Sequence, residues 1–251
     1  MPVTPIRFAA NWLRGRTCHE RQAMRQIPLA IGPDAQPGFD NFLPGANSAA
    51  LDHLRALPLA TAPVYLWGPG GCGKTHLMQA LASRQQRAGQ QVGWFDAADR
   101  LPWVLSPGWS LVVLDRCEAL DPPAQHAAFA LFEEATSHGV QWVAAGRLPP
   151  VDLPVREDLR TRLAWGHVFA MQALPDAETR AALRREADRR GIFLSDEVMD
   201  FLLTRFERDL AHLMRLLDRL DDYGLAKARR ITVPLVRQML QEEGVDEVGD
   251  A

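Results

Sequence analysis

The sequence contains little cysteine, no long apolar run and no excess of basic charge. Its three cysteines, Cys18, Cys72 and Cys117, show neither disulfide nor metal-site spacing, which favours a reducing compartment. No apolar stretch approaches the roughly 20 residues that a membrane span needs. The formal net charge is -3 and the pI is about 6.2, so no basic field predicts direct binding to nucleic acid. These absences indicate a cytoplasmic protein without a membrane partner.

The two ends of the chain differ in composition from the region between them. Residues 1–38 are expected to form a flexible leader, of which residues 1–23 are rich in arginine and poor in acid. Such a leader can resemble an organelle transit peptide, but we favour an unstructured extension or an upstream start codon with Met24 as the first residue. One domain is predicted over residues 39–173, a smaller one over 174–241 and an acidic tail over 242–251.

Short apolar runs alternate with helical patterns in the larger predicted domain. The helical patterns cover residues 75–88 and 122–137, and Asn47 is predicted to cap an earlier helix. Buried strands are predicted at residues 64–67, 92–96, 111–115, 142–145 and 168–171. This alternation predicts an α/β fold in which helices cover both faces of a parallel sheet.

The smaller predicted domain has only helical patterns. Acid-rich helix starts follow Leu174, at Asp176 and at Ser195, and Ser195 is a favourable N-cap residue. Leucines repeat at helical spacing over residues 208–222, and Pro234 stands near the first turn of a last helix. The sequence therefore predicts a small all-helical domain after the sheet domain.

The segment from residue 68 to residue 76 contains a complete phosphate-loop motif. The glycine, lysine and threonine positions of G-x-x-x-x-G-K-[ST] are all filled, between a predicted strand and a predicted helix. Glycines let backbone N–H groups approach phosphate oxygens, and the helix N-terminus attracts the anion. We favour this interpretation over a tight glycine-rich turn. The residues predicted to bind ADP or ATP are Gly68, Pro69, Gly70, Gly71, Cys72, Gly73, Lys74, Thr75 and His76.

Asp115 ends an apolar run, where nucleotide-binding proteins place the acid that holds Mg²⁺ through water. The Thr75 hydroxyl is the second predicted Mg²⁺ ligand. The alternative for Asp115 is a strand-terminal acid that caps the next turn. Arg116 follows, where a self-sufficient ATPase usually has a second acid that orients the attacking water. A guanidinium cannot act as a general base, and the next carboxylate is Glu118.

Several motifs together resemble the ATPase domain of DnaA, the bacterial replication initiator. Phe39-Asp-Asn-Phe-Leu-Pro-Gly45 is similar to the segment that begins that domain, and residues 157–166 (EDLRTRLAWG) resemble the segment with the arginine finger. The better match is the Hda family, short DnaA homologues that inactivate the initiator, over Gln26 to about Leu240. This resemblance implies an AAA+ nucleotide-binding domain followed by a helical lid, with DnaA as the partner.

Two differences from DnaA bear on the expected contact with DNA. An initiator would continue into a C-terminal helix-turn-helix that reads duplex DNA, whereas this chain stops. Residues 101–108 leave room for at most one helical turn, where an initiator or helicase loader is expected to have helical insertions for single-stranded DNA. The resemblance to the Hda family therefore implies contact with DNA only indirectly, through the sliding clamp.

The segment Gln26-Ile-Pro-Leu29 resembles the short peptide by which Hda and other replication proteins bind the sliding clamp, the β subunit of DNA polymerase III. In such a peptide, Ile27 and Leu29 would enter an apolar pocket while the Gln26 amide fixes the orientation. The alternative is a solvated linker that happens to contain two aliphatic residues.

Arg162 aligns with the arginine finger of the DnaA-related proteins, with the following Trp-Gly pair fixing the register. The resemblance implies that Arg162 acts in trans on ATP held by DnaA, where it would offset charge on the transferring phosphoryl group. Arg156 and Arg160 are close enough to exchange roles with it. The alternative is an ordinary surface arginine that pairs with Glu157 or Asp158.

Three departures from DnaA indicate weak or absent ATP hydrolysis by the chain itself. Arg116 replaces an acid, Ala211 stands where the lid's sensor arginine aligns, and the segment ending at Arg147 lacks the usual sensor side chain. Arg208, one turn before Ala211, is the residue that could compensate. The predicted function is negative regulation of replication initiation by a nucleotide-bound, clamp-associated protein that stimulates hydrolysis by DnaA.

Two alternatives to this predicted function stay open. One is an autonomous ATPase of the helicase-loader or remodelling type, and the other is a non-enzymatic adaptor that tethers a DnaA-type protein. The sequence does not distinguish a monomer from a homodimer.

Overall fold

A parallel five-stranded sheet organises the first part of the chain, as the alternating pattern predicts. The computed structural model describes residues 37–58, 61–206, 209–227 and 229–242. Within them the strand order is β2-β3-β4-β1-β5, and each neighbouring pair is parallel. The strands are β1 (Val64–Trp67), β2 (Gln91–Phe95), β3 (Trp109–Leu114), β4 (Gln141–Gly146) and β5 (His167–Ala170).

Helices cover both faces of this sheet because successive strand residues point to opposite sides. Leu66 and Val113 pack in one core with the first two α-helices of the sheet domain, whereas Tyr65 and Leu114 pack in the other with its third and fourth. Both cores consist of buried apolar side chains, which confirms the predicted α/β architecture. The helices are α1 (Ser48–Ala56), α2 (Lys74–Arg87), α3 (Pro122–Ser137) and α4 (Glu157–Ala164).

A third core belongs to the helices that follow the sheet. Four leucines of the predicted stripe are buried along one side of the helix over Leu210–Lys227, and the fifth, Leu210, is half-buried; the four are Leu213, Leu216, Leu217 and Leu220. The predicted cap at Ser195 is confirmed, since its side chain accepts a hydrogen bond from Val198 N. The helices of this bundle are α5 (Asp176–Arg189), α6 (Asp196–Arg205), α7 (Leu210–Lys227) and α8 (Val233–Glu242).

Asn47 occupies the predicted N-cap position of α1, but its side chain does not cap the helix, since it makes no hydrogen bond to the first turn. Instead Nδ2 donates to Gln172 O over 2.8 Å, and Oδ1 accepts from Gln172 N over 2.8 Å. The buried amide thereby satisfies both of its polar ends, which a single capping bond would not do. These two bonds join the start of α1 to the chain that leaves β5.

The connection between β2 and β3 contains no helix, in agreement with the expected lack of room for an insertion. Trp103 in this connection is 8% exposed, and its ring centroid lies 5.1 Å from that of Phe95. Among the described residues, no helix combines the length and the apolar character needed to cross a bilayer.

The cap of α3 provides a first test of this architecture. Asp121 Oδ1 accepts a hydrogen bond from Ala124 N over 2.8 Å, and Pro122 follows at the first helical position. We expect Asp121→Ala to lower the free energy of unfolding by about 1 kcal/mol, because a helix-terminal N–H loses its partner. Asp121→Asn keeps a hydrogen-bond acceptor and should change the free energy of unfolding by only about a few tenths of a kcal/mol. Equal losses in both variants, measured by urea denaturation, would contradict this role.

The ion-pair cluster around Glu186 predicts a pH dependence of stability. Hydrogen bonds from Arg189 outweigh the effect of burial and, with Arg190, lower the pKa of the Glu186 carboxyl from 4.5 to about 2. A pKa lowered by folding stabilises the fold above pH 4.5, and this contribution is lost as the pH falls towards 2.

Glu186→Gln should therefore destabilise the fold by about 1 kcal/mol at pH 7, since a partly exposed pair is screened by solvent. The difference from the unsubstituted chain should shrink as urea denaturation is repeated from pH 5 down to pH 3. A difference that stays constant over this range would contradict the assignment.

Candidate functional site

The phosphate loop lies between the end of β1 and the start of α2, and other segments enclose it closely. Gly73, at the cap of α2, has a φ of 93°, a left-handed conformation that favours glycine. A Cβ there would lie 2.5 Å from the Phe42 ring. A Cβ at Gly68 would lie 2.2 Å from the carbonyl oxygen of Met171. These two positions therefore require glycine.

The Lys74 ammonium lies against the loop that precedes it. Nζ donates to the carbonyl oxygens of Gly68, over 2.8 Å, and Pro69, over 2.7 Å, and lies 3.4 Å from Cys72 Sγ. Cys72 is buried and packs in the core beneath α1 and α2, whereas Pro69, Gly70 and Gly71 are exposed. The loop thus presents backbone and one cation to solvent, a combination that suits phosphate oxygens.

The two side chains predicted to hold Mg²⁺ are in contact. The Thr75 hydroxyl donates to Asp115 Oδ2 over 2.7 Å, and Asp115, which follows β3, is only 7% exposed. A hydroxyl and a carboxylate are the oxygen ligands that Mg²⁺ takes, so the pair fits this ion. No group of three or more potential metal ligands occurs among the described residues. The remaining ligands would therefore be phosphate and water.

Arg116 is held in place beside Asp115. Its backbone is left-handed (φ 54°, ψ 48°), and its guanidinium forms an ion pair with Asp96 at 2.6 Å. Burial opposes ionisation of Asp96, but hydrogen bonds from Ala98 N and Arg116 outweigh it and lower the pKa of the carboxyl. The sequence did not single out Asp96. It could have been found from the strand pattern. Asp96 directly follows β2 and Asp115 directly follows β3, and because these two strands are parallel neighbours, both acids lie at the same edge of the sheet.

Glu118, the next carboxylate after Asp115, contacts Arg147, the residue that follows β4. Its Oε2 accepts from Arg147 N over 3.0 Å, and Oε1 lies 3.5 Å from Arg147 Nε. The Tyr65 hydroxyl donates to Leu148 O over 2.8 Å, which fixes the same turn. Glu118 and Asp96 therefore both pair with arginines.

His76 contacts the segment that precedes α1. Its Nε2 lies 3.0 Å from Gly38 O, and its ring centroid lies 5.4 Å from that of Phe42. The same phenylalanine meets Gly73 of the loop. The segment predicted from the resemblance to begin the ATPase domain thus covers one side of the phosphate loop.

The start of α7 reaches the other side of the loop. A Cβ at Gly71 would lie 2.8 Å from Asp209 Cβ, so the helical bundle touches the loop here. Asp209 Oδ1 accepts from Ala211 N over 2.9 Å, while the Ala211 side chain is exposed and has no polar group. Arg208, which could compensate for Ala211, lies outside the described residues.

Arg162 lies on the solvent side of α4, whose other side is buried through Leu159 and Leu163. Its Nη2 lies 2.9 Å from Glu133 Oε1 on α3. Arg162 therefore pairs with Glu133 and not with Glu157 or Asp158, and Asp158, one turn before it on the helix, is paired with Arg156 instead.

The other two candidate arginines differ from Arg162 in their contacts. Arg156 Nη2 pairs with Asp158 at 2.6 Å. Arg160 has no side-chain hydrogen bond or ion pair within the part of the chain that the structure describes. Arg162 is thus the one of the three that pairs with a different helix.

Arg162 and the phosphate loop lie towards opposite ends of the strands. The loop follows the last residue of β1, whereas Arg162 shortly precedes β5, whose first residue His167 pairs with Val64 at the start of β1. Gly166 also packs against Pro63, just before β1. A four-residue strand spans about 13 Å, so Arg162 and the chain's own phosphate loop are separated along the strand direction by about this length.

The predicted clamp-binding residues, Gln26, Ile27 and Leu29, lie outside the described residues. Their role stays a prediction from the sequence.

Two family models match the chain. One, described as the Hda lid domain, matches residues 176–240, and the other, described as the bacterial DnaA ATPase domain, matches residues 34–99. The first covers the helical bundle, and the second covers the phosphate loop with the segments on either side of it.

Solved structures show the same fold at low sequence identity. Domain III of DnaA from Thermotoga maritima is 20% identical with a TM-score of 0.65, over 84% of this chain and 97% of that chain. DnaA bound to AMPPCP and single-stranded DNA is 18% identical with a TM-score of 0.61, over 86% and 71%. The RuvB branch migration motor of Thermotoga maritima is 18% identical with a TM-score of 0.53, over 74% and 63%. The predicted AAA+ fold with a C-terminal helical lid is thereby confirmed.

Proposed function

The chain belongs to the Hda family of DnaA-related AAA+ proteins, and from this premise we propose that it is a negative regulator of chromosome replication initiation. In this proposal the protein binds a nucleotide and stimulates ATP hydrolysis by DnaA, the initiator. The observation that carries the proposal is the position of Arg162, an accessible arginine on the side of the sheet domain away from the chain's own phosphate loop.

We assign ADP or ATP, with Mg²⁺, to the phosphate loop. Two solved DnaA relatives hold the ATP analogue AMPPCP, which supports an adenine nucleotide as the ligand. Lys74 would donate to phosphate oxygens, and Thr75 and Asp115 would hold Mg²⁺. The metal, when bound, neutralises phosphate charge. Because Phe42 and Asp209 approach the loop from two sides, the ligand would connect the sheet domain with the lid.

The chain's own pocket is proposed to hydrolyse its nucleotide poorly. Arg116 occupies the position of the second acid and is paired with Asp96, while Glu118 is paired with Arg147. Beside Asp115, which is assigned to Mg²⁺, both nearby carboxylates are thus paired with arginines, so neither is free to orient the attacking water. The bound nucleotide would then act as a structural ligand, and at a concentration 100 times its Kd it would stabilise the fold by about 2.7 kcal/mol.

Arg162 is proposed to act on the nucleotide of DnaA. A guanidinium has five N–H donors in a planar array that matches phosphate oxygens. Only Nη2 of Arg162 has a partner within the described residues, so other donors are accessible to a partner subunit. Placed beside the γ-phosphate of DnaA-bound ATP, the cation would stabilise charge that develops as the phosphoryl group leaves.

The proposal includes the sliding clamp as a second partner. Gln26, Ile27 and Leu29 would bind the β subunit of DNA polymerase III, and DNA would be contacted only through that clamp. A homodimer is not required, because Arg162 acts on a different protein. Under this proposal the isolated protein should show little ATP turnover, whereas an autonomous ATPase would turn over without DnaA.

Replacing Lys74 tests the nucleotide site. Lys74→Ala removes a charged donor to phosphate, and such hydrogen bonds contribute about 1.5–3 kcal/mol. We therefore expect ADP affinity to fall about 10- to 150-fold, measured by calorimetric titration of the full chain. Arg87→Ala, which changes an equal charge at the far end of α2, should leave the affinity unchanged. An unaltered Kd in Lys74→Ala would contradict the assignment.

Replacing Arg162 tests the action on DnaA. Arg162→Ala should reduce the stimulated rate of ATP hydrolysis by DnaA, in the presence of clamp loaded on DNA, by about 10³-fold or down to the unstimulated rate. Binding of ADP by the variant should be unchanged, because Arg162 lies away from the phosphate loop.

Arg160→Ala is the matched comparison for this experiment, since Arg160 shares the helix but has no side-chain partner among the residues that the structure describes. Loss of stimulation in Arg160→Ala alone would transfer the role to that residue. The adaptor function predicts a different pair of results. Arg162→Ala would still inhibit initiation fully, whereas replacing Gln26 and Leu29 with alanine would abolish the inhibition.

A further inference from the structure

We propose that Glu133 is a positioning residue for Arg162. In this proposal the Glu133 carboxylate holds one nitrogen of the guanidinium and thereby orients the other donors towards a docking AAA+ subunit. The inference rests on the proposed function of Arg162 and adds to it a residue from a different helix.

The contact joins two helices on the same face of the sheet. Glu133 belongs to the C-terminal half of α3, Arg162 to the end of α4, and both helices pack in the core that contains Leu159 and Leu163. The Nη2–Oε1 distance of 2.9 Å makes this contact a close ion pair. Because each helix is fixed by its buried side, the pair fixes the guanidinium relative to the whole sheet domain.

The neighbouring arginines lack this kind of support. Arg156 pairs with Asp158 of its own helix, and Arg160 has no side-chain partner within the described residues. A free arginine has many rotamers, and part of that freedom must be lost when it engages a phosphate. Arg162 has already lost part of it through Glu133, so less remains to be lost when a partner binds.

The exposure of the pair determines how large the effect should be. The side chains of Arg162 and Glu133 are 40% and 48% exposed, so solvent screens their attraction. A phosphate can then compete for the guanidinium without having to break a strong buried bond. Exposed pairs of this kind correspond to about a 1.5- to 5-fold change in an equilibrium or a rate.

Glu133→Gln tests the proposal against a matched neighbour. Glu134 lies next in the sequence, is exposed, and has no side-chain hydrogen bond or ion pair among the described residues, so Glu134→Gln makes the same charge change without touching Arg162. The readout is ATP hydrolysis by DnaA, titrated with each variant in the presence of loaded clamp. We expect Glu133→Gln to lower the maximal stimulated rate about 1.5- to 5-fold at an unchanged half-maximal concentration. Glu134→Gln should match the unsubstituted protein, and Glu133→Asp should recover part of the rate.

The Arg162→Ala background separates this proposal from the function on which it rests. There, Glu133→Gln should have no further effect, because no guanidinium is left to orient. If Arg162→Ala itself leaves stimulation intact, the proposed function fails. If Arg162→Ala abolishes stimulation, the role of Glu133 can still fail by itself. It is overturned if Glu133→Gln gives the same stimulated rate as Glu134→Gln, if it raises that rate, or if it changes only the half-maximal concentration.

Discussion

All strands of the sheet run in the same direction, and this single constraint determines where the polar groups of the protein can meet. The carboxyl ends of β1, β2, β3 and β4 share one edge, and Lys74, Asp96, Asp115 and Arg147 follow them there. The amino ends share the opposite edge, towards which α4 delivers Arg162 before β5 begins. A phosphate-binding surface and a projecting cation are thus separated by the length of the strands. The proposed division of roles, with one surface for the chain's own nucleotide and another for that of DnaA, follows from this separation.

The chemistry of the phosphate edge depends on which charges are already paired. Thr75 and Asp115 contact each other, whereas Arg116 pairs with Asp96 and Glu118 pairs with Arg147. Burial opposes ionisation of Asp96, but hydrogen bonds from Ala98 N and Arg116 outweigh it and lower the pKa of this carboxyl, which makes Asp96 a weak base. The proposed retention of nucleotide without rapid turnover therefore depends on two ion pairs as much as on the replacement of one acid.

Features encoded within a short stretch of chain could be predicted, and features formed between distant stretches could not. The phosphate loop, the five strands and the stripe of α7 each follow from local spacing. The bonds between Asn47 and Gln172, and the pair of Arg162 with Glu133, join segments whose proximity is a product of folding. Asn47 illustrates the limit, since its position before a helix predicts a cap while its burial favours a partner far along the chain. The peptide at residues 26–29 is local in character, but it stays a prediction because it lies outside the described residues.

The Asn47–Gln172 connection also restricts how the two domains can move against each other. Through two hydrogen bonds the chain is tied to the sheet domain as far as Gln172, and α5 begins at Asp176. Any rotation of the lid must therefore turn about the few bonds between these points, with Pro175 limiting one of them. The covalent connection between the sheet domain and the lid is therefore confined to residues 173–175, directly after the last residue that is bonded back to the sheet domain.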